Sequence, residues 1–264
     1  CTSLTIARNG DYISELSIWQ DTVAKRPDNA RAHLNYGRAK LQRGQITEAI
    51  TAFKAATKIA PRFYEPHYNR GLALSQLGHQ LEAIEQFQTA LRIKPDLAEA
   101  YLNIANIMFE MERLSEAGRY YESAISLKPN LAATRSSYGN YLIHEGRPRD
   151  ALKQCEIAIQ LDPNLTDAYL NAAAACIMIN NLPAAVSHYL TVLKKNTNLQ
   201  EARNNLANVY LELGQFSEAI EQYQAALDTD PNMIEARRNL ALLLLHLDRP
   251  FAARPHLVIL AKIL

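Results

Sequence analysis

Along the stretch Gln200–Met233, QEARNNLANVYLELGQFSEAIEQYQAALDTDPNM, apolar and polar positions follow a helical period twice in succession. The pattern predicts two amphipathic helices joined by a tight turn, with a proline closing the unit. The same skeleton returns every 34 residues, and Pro27, Pro61, Pro95, Pro129, Pro163 and Pro231 fall on that spacing, with only Thr197 interrupting it. Full copies begin at Ala30, Tyr64, Ala98, Ala132, Thr166 and Gln200. Residues 1–29 are then a partial N-terminal unit, 30–233 six full repeats and 234–264 a partial C-terminal unit, all in one continuous array. A fixed period of this length predicts an all-α solenoid of stacked helix-turn-helix units.

The seventh and eighth places of the copies hold pairs such as Tyr36-Gly37, Tyr138-Gly139 and Leu206-Ala207, where small residues let two helices approach closely. Ala49, Ala83, Ala117, Ala151, Ala185 and Ala219 share one register, and Ala56, Ala90, Ala124, Ala158 and Ala226 share another, with Val192 the exception. An aromatic register contains Phe53, Phe87, Tyr121, Tyr189 and Tyr223. Trp19 falls on it too, in a helix expected from about Tyr12 to Lys25, and is expected to pack between helices. Gly44, Gly78, Gly146 and Gly214 mark the turn within a copy, as residues that tolerate a left-handed helix end. Pro148, Pro183 and Pro250 are expected just inside second helices, where an unpaired N–H is normal.

Composition narrows the class further. Only nine glycines and little Val/Ile/Thr alternation argue against strands. A net charge of +1 without basic or acidic blocks gives no electrostatic footprint for nucleic acid. No run of about 18 apolar residues is present, so no direct membrane insertion is expected of this chain. Cys155 and Cys176 lie at core positions and read as small buried hydrophobes; Cys1 reads as a start point or as a lipid-modified N-terminus.

The period, the small-residue registers, the aromatic slot and the closing proline together resemble the tetratricopeptide repeat family over nearly the whole chain. The resemblance implies a right-handed superhelix (the tetratricopeptide solenoid), with first helices on a concave face and second helices on a convex one. The copy at 166–199 departs most, with Asn180, Val192 and Thr197 in place of glycine, alanine and proline, and is expected to be the loosest joint.

No catalytic or metal-ligand constellation stands out: the seven histidines form no HExxH or Cys/His pair, and no phosphate-binding loop or GxSxG occurs. No enzymatic activity and no cofactor are therefore expected. The informative feature is a row of asparagines in the first helices, Asn35, Asn69, Asn103, Asn171, Asn205 and Asn239, with Ser137 in the remaining slot. A second row, three residues on, holds Asn106, Asn140 and Asn208. Asparagine inside a helix costs on the order of several tenths of a kcal/mol relative to alanine, so its recurrence asks for a reason. Its amide can match the N–H and C=O of an extended peptide in a groove. Bonds between neighbouring helices and inheritance through duplication are the alternatives. The row is similar to the asparagine ladder in the tetratricopeptide array of O-GlcNAc transferase, which implies peptide binding. The family's dicarboxylate clamp is disfavoured, because its arginine register holds Asn or Ser here. Glu65, Glu99, Asp167, Glu201 and Glu235 open first helices, either tinting the groove acidic or complementing helix dipoles.

Two expectations concern the ends. Arg8-Asn9, Tyr12, Ser14-Glu15-Leu16, Trp19, Asp21, Val23, Lys25 and Pro27 resemble the entry to tetratricopeptide tails of bacterial multi-pass membrane proteins similar to glycosyltransferases. That resemblance implies an extracytoplasmic tail, with a cytoplasmic location as the alternative and a substrate-recruiting role for a catalytic domain elsewhere as the competing function. At the other end, Pro255 falls inside a helix, and the apolar run His256–Leu260 suggests self-association. The expected partner throughout is a protein or peptide.

Overall fold

The computed structural model describes residues 14–263, and they form fifteen helices and no strand. The helices are α1 (Glu15–Lys25), α2 (Ala30–Gln42), α3 (Ile46–Ile59), α4 (Tyr64–Gln76), α5 (Gln80–Ile93), α6 (Ala98–Glu110), α7 (Leu114–Leu127), α8 (Ala132–His144), α9 (Pro148–Leu161), α10 (Thr166–Met178), α11 (Leu182–Lys195), α12 (Gln200–Glu212), α13 (Phe216–Thr229), α14 (Ile234–His246) and α15 (Pro250–Ile263). They divide into two compact units, one ending at Pro129 and one starting at Asn130. Within each unit, successive helices pack in pairs: α1 on α2 through α6 on α7 in the first, α8 on α9 through α14 on α15 in the second. The chain is thus all-α, with two helices in each 34-residue period, as the pattern predicts.

Most of these helices owe little to side-chain capping. Phe63, Leu97, Leu131, Leu165, Leu199 and Met233 occupy N-cap positions without a capping hydrogen bond. Short helices of this kind are marginal alone and are held by burial of one face. That burial follows the two alanine registers: Ala49, Ala83, Ala117, Ala151, Ala185 and Ala219 are fully buried, as are Ala56, Ala90, Ala124, Ala158 and Ala226. Val192 takes the same slot at 1% exposure, so the departing copy keeps its seal there. Phe53, Phe87, Tyr121, Tyr189 and Tyr223 fill the aromatic slot, and Cys155 occupies it in the copy from Ala132.

Gly44, Gly78, Gly146 and Gly214 adopt φ between 70° and 76°, as expected of the turn inside a copy. The remaining turns place Glu112, Asn180 and Asp248 in the same left-handed region, at φ of 59°, 60° and 56°. The turn geometry is therefore constant, and three copies accept a side chain where glycine is the unstrained choice. Pro148 and Pro183 lie in the first turn of α9 and α11, and Pro250 opens α15.

Two local details depart from the sequence reading. Described helix α1 starts at Glu15, behind a Ser14 N-cap whose hydroxyl accepts from the Ser17 N–H at 3.2 Å; Tyr12 lies outside the described residues. Trp19 is only partly covered, and its indole N–H donates to Glu15 at 3.3 Å. None of the α1 residues is fully buried, so this slot is not the closed one its register implies. At the other end, α15 continues through Pro255.

Candidate functional site

The asparagine register lies on the first helices, with Ser137 in place of asparagine in one copy, and four of its members bond the preceding first helix. Asn69 donates to the Glu65 carbonyl at 2.7 Å and accepts from Arg38 Nε at 3.4 Å. Asn103 donates to the Glu99 carbonyl at 2.7 Å and to the Tyr68 hydroxyl at 3.1 Å. In the second unit, Asn171 reaches back to the Ser136 carbonyl at 3.1 Å, and Asn239 donates to Asn208 Oδ1 at 3.1 Å. Many of the ladder amides thus join one copy to the preceding one, which is the inter-helix role left open by the sequence.

The second row is tied to the aromatic slot. Tyr121 donates to Asn106 Oδ1 at 2.8 Å, and Tyr223 donates to Asn208 Oδ1 at 2.5 Å, each from fifteen residues away. A buried phenol needs a partner, and these asparagines supply it. Burial lifts the Tyr223 hydroxyl to about 12, while the hydrogen-bonding reach of Asn239 works in the opposite direction. Tyr189 has Ala174 where the second-row asparagine would sit; burial raises its pKa as well, and Asn205 of the following copy lowers it by hydrogen bonding. Where the slot holds phenylalanine, at Phe53 and Phe87, the second-row position is Arg38 or Leu72 and no hydroxyl needs satisfying. A pairing of columns would have revealed this: asparagine appears beside tyrosine and not beside phenylalanine.

Asn35 and Asn140 are the ladder members whose side chains make no hydrogen bond to the described residues. Both are partly exposed, and Asn205 is exposed. These are the amides with unused donor and acceptor capacity.

Two clefts open on first-helix surfaces, one in each unit. The first, of about 510 Å³, is lined by Arg38, Tyr64, Glu65, Tyr68, Asn69, Lys94, Asp96, Leu97, Glu99, Leu127 and Lys128. Its cations are engaged: Lys128 pairs with Glu99 at 2.7 Å, Lys94 stands 4.9 Å over the Tyr64 ring and Arg38 bonds Asn69. The hydrogen bond from Lys128 holds the Glu99 carboxyl below its ordinary range. The second cleft, of about 660 Å³, is lined by Asn208, Leu211, Glu212, Phe216, Asn239, Leu242, Leu243 and His246. One is therefore polar and charged and the other mainly apolar, and both include asparagines of the ladder.

The acidic opening register has mixed use. Glu99 is ion-paired, whereas Glu65, Asp167, Glu201 and Glu235 stand in the first turns of α4, α10, α12 and α14, the favourable end of the helix dipole. Cys155 and Cys176 are free and buried, and burial pushes the Cys155 thiol up to about 12. Among the described residues, no group of three or more His, Cys, Asp and Glu side chains is arranged to hold a metal ion. No described helix is long and apolar enough to cross a membrane. In α15, Phe251 is 90% exposed, and Leu257, Val258 and Ile259 are also exposed.

Comparison with known proteins gives a consistent result. Profiles described as "TPR repeat" match residues 37–78, 76–112 and 207–248, and profiles described as "Tetratricopeptide repeat" match 98–131 and 188–221. No curated protein matches the chain. Among solved structures, a chain of the APC/C hetero-tetramer Cut9–Hcn1 superposes with a TM-score of 0.76 at 21% identity, covering 86% of this chain and 45% of that one. The chain thus spans less than half the length of that relative. YrrB, described as a TPR protein with an unusual peptide-binding site, gives 0.59 at 22% identity over 71% of this chain and 97% of its own. PilF of Pseudomonas aeruginosa gives 0.68 at 18% identity over 76% and 91%. At these identities the likeness is one of fold.

Proposed function

The chain belongs to the tetratricopeptide repeat family, and on that premise we propose that it is a non-catalytic protein-interaction module holding an extended polypeptide segment against its first helices. The observation that carries this reading is the coincidence of the two clefts with the asparagine ladder, Asn69 in one and Asn208 with Asn239 in the other. Internal bonds fix part of each amide in place, so the remaining lone pairs and N–H groups are oriented before a ligand arrives. Pre-organised groups lose less freedom on binding. Backbone recognition by such amides places little demand on ligand sequence, while the polar cleft and the apolar cleft would set preferences in each unit.

The ladder is therefore partly mortar and partly surface, and the test must separate the two. Asn35→Ala and Asn140→Ala remove amides that bond nothing internally. Each should weaken capture of unstructured peptides on an overlapping peptide array by about three- to tenfold, the value of one hydrogen bond, at unchanged melting temperature. Asn103→Ala and Asn239→Ala should lower both binding and stability. Peptide binding that is absent in the parent, or unchanged in the first two variants, removes the proposal.

The narrower idea, a tail of a membrane-anchored chain serving a glycosyltransferase, rests on the N-terminal segment. Its residues Arg8, Asn9 and Tyr12 lie outside the described structure. The full reading frame decides it: apolar segments of about 20 residues upstream of Cys1 would support it, and their absence from the full frame would end it.

A further inference from the structure

A second side-chain register, separate from the ladder, joins the two helices of five copies; the copy from Ala30 has His33 and Ala52 there and forms no rung. The register pairs the fourth residue of a first helix with a second-helix residue nineteen positions later. His67 Nδ1 and Gln86 Oε1 are 3.1 Å apart, Arg135 donates to Gln154 at 2.7 Å, and Arg203 donates to Gln222 at 3.0 Å. Other copies replace the polar rung by rings: Tyr101 with Tyr120 at 6.1 Å and Tyr169 with His188 at 6.0 Å. In each polar rung a donor faces a glutamine oxygen, and in each aromatic rung two rings meet.

The rung of the last copy breaks this rule. Arg237 occupies the donor position and His256 the acceptor position. Arg237 is buried, at 7% exposure, and one of its terminal nitrogens donates to the Pro231 carbonyl. Its Nε has no partner, and neither does His256 Nδ1, although both atoms are shut away from solvent. Arg70 Nε is also unpartnered, but that guanidinium reaches the glutamine of its own rung, Gln86, through Nη1. Arg237 has no such oxygen to turn to. A buried guanidinium that lacks a counter-charge or a full set of acceptors is costly, and the missing component is an oxygen acceptor carrying negative charge. The partial exposure of His256 leaves the rung approachable from the α15 side. Burial and, after it, the neighbouring Arg237 charge depress the His256 pKa, which places the imidazole beside the guanidinium.

We infer that Arg237 and His256 form a binding site for a single oxyanion, of the carboxylate or phosphate class, held between the guanidinium and the imidazole. The inference is independent of the peptide groove, since it uses neither the asparagines nor the two clefts. In the intact chain, the Nε–Hε resonance of Arg237, assigned through bonds, should move and saturate on titration with inorganic phosphate or with acetate at constant ionic strength, against a chloride control. Saturation by acetate alone points to a protein carboxylate as the natural ligand, and saturation by phosphate alone to a free or nucleotide-borne phosphate; either supports the site. His256→Gln rebuilds the Arg–Gln rung seen in two other copies, so it should fold and lose the saturable response. A parent resonance that responds to neither anion, or a variant that responds as the parent does, overturns the assignment.

Discussion

Gly71→Ala tests whether the close approach of helices sets the repeat, because the surroundings of Gly71 fix both sign and size. A Cβ built there would lie 2.7 Å from Phe87 Cε1, 2.8 Å from Cδ1 and 2.9 Å from Cζ. Ordinary carbon contacts are about 3.5–4.0 Å, so the ring must retreat by roughly 1 Å. Phe87 is fully buried, with the Tyr68 ring 5.6 Å away, so its retreat displaces packed neighbours. Overpacking of this kind costs about 1–3 kcal/mol. Three ring atoms within 3.0 Å place this site in the upper half of that range, about 2–3 kcal/mol; replacing glycine by alanine inside a helix returns about 1 kcal/mol, leaving a net loss of about 1–2 kcal/mol. Repeat arrays depend on nearest-neighbour terms, so the loss should be local. Hydrogen exchange of α4 and α5 amides should speed up by about five- to thirtyfold, with α12 to α14 unaffected. Gly78→Ala is the control, because nothing lies within 4 Å of its added carbon and its cost comes from a φ of 76°. Phe87→Leu should relieve the first variant and leave the second unchanged. If Gly71→Ala proves neutral, or its cost survives Phe87→Leu undiminished, steric contact with the ring is not what excludes a side chain.

Two further outcomes follow from the titrating groups. Native protein at pH 8 should leave Cys155 unalkylated by iodoacetamide, with labelling mapped by mass spectrometry appearing only on unfolding, because a thiol near 12 is almost wholly protonated; rapid native labelling would contradict its burial. For Glu99, the folded pKa is depressed, so its pairing stabilises the fold above the unfolded value and is lost as pH falls through the folded one. Lys128→Gln should raise the Glu99 titration toward the ordinary carboxylate range in carboxyl-carbon NMR, and an unshifted curve would show that the pair does not persist in solution.

The helices, their pairing and the turn positions were legible because every copy states the same constraint. A closing proline in every copy but the one ending at Thr197, two alanine registers and a recurrent glycine turn agree with one another along the chain. The left-handed turns at Glu112, Asn180 and Asp248 all stand on the register marked by Gly44, Gly78, Gly146 and Gly214, so position foretells them even where the residue type, as at Glu112, does not. The candidate site was legible only by position. The ladder asparagines stand on first helices as read, but whether an amide faces a ligand or a neighbour depends on which residue stands thirty-one or thirty-five positions earlier. Arg38, Tyr68, Ser136 and Asn208 answer that question for four of them. The nineteen-residue rungs could have been found by reading two columns together, as Arg with Gln and Tyr with Tyr; reading each column alone conceals them.

The tyrosine–asparagine bonds give the copies a grammar. Tyr121 and Tyr223 carry their acceptor within the same copy and make no demand on what comes next. Tyr189 has no such acceptor in its own copy, while Phe53 and Phe87 require none. The copy from Ala30 can therefore be duplicated or deleted without orphaning a hydroxyl of the slot, whereas the copy from Tyr64, despite Phe87, ties its Tyr68 hydroxyl to Asn103 of its successor. The copy from Tyr64 keeps that bond only when followed by one with an asparagine in the place of Asn103. Recombination within such a gene, natural or in the laboratory, would tolerate changes of length near residues 30–63 and would be filtered at the junction before Ala98.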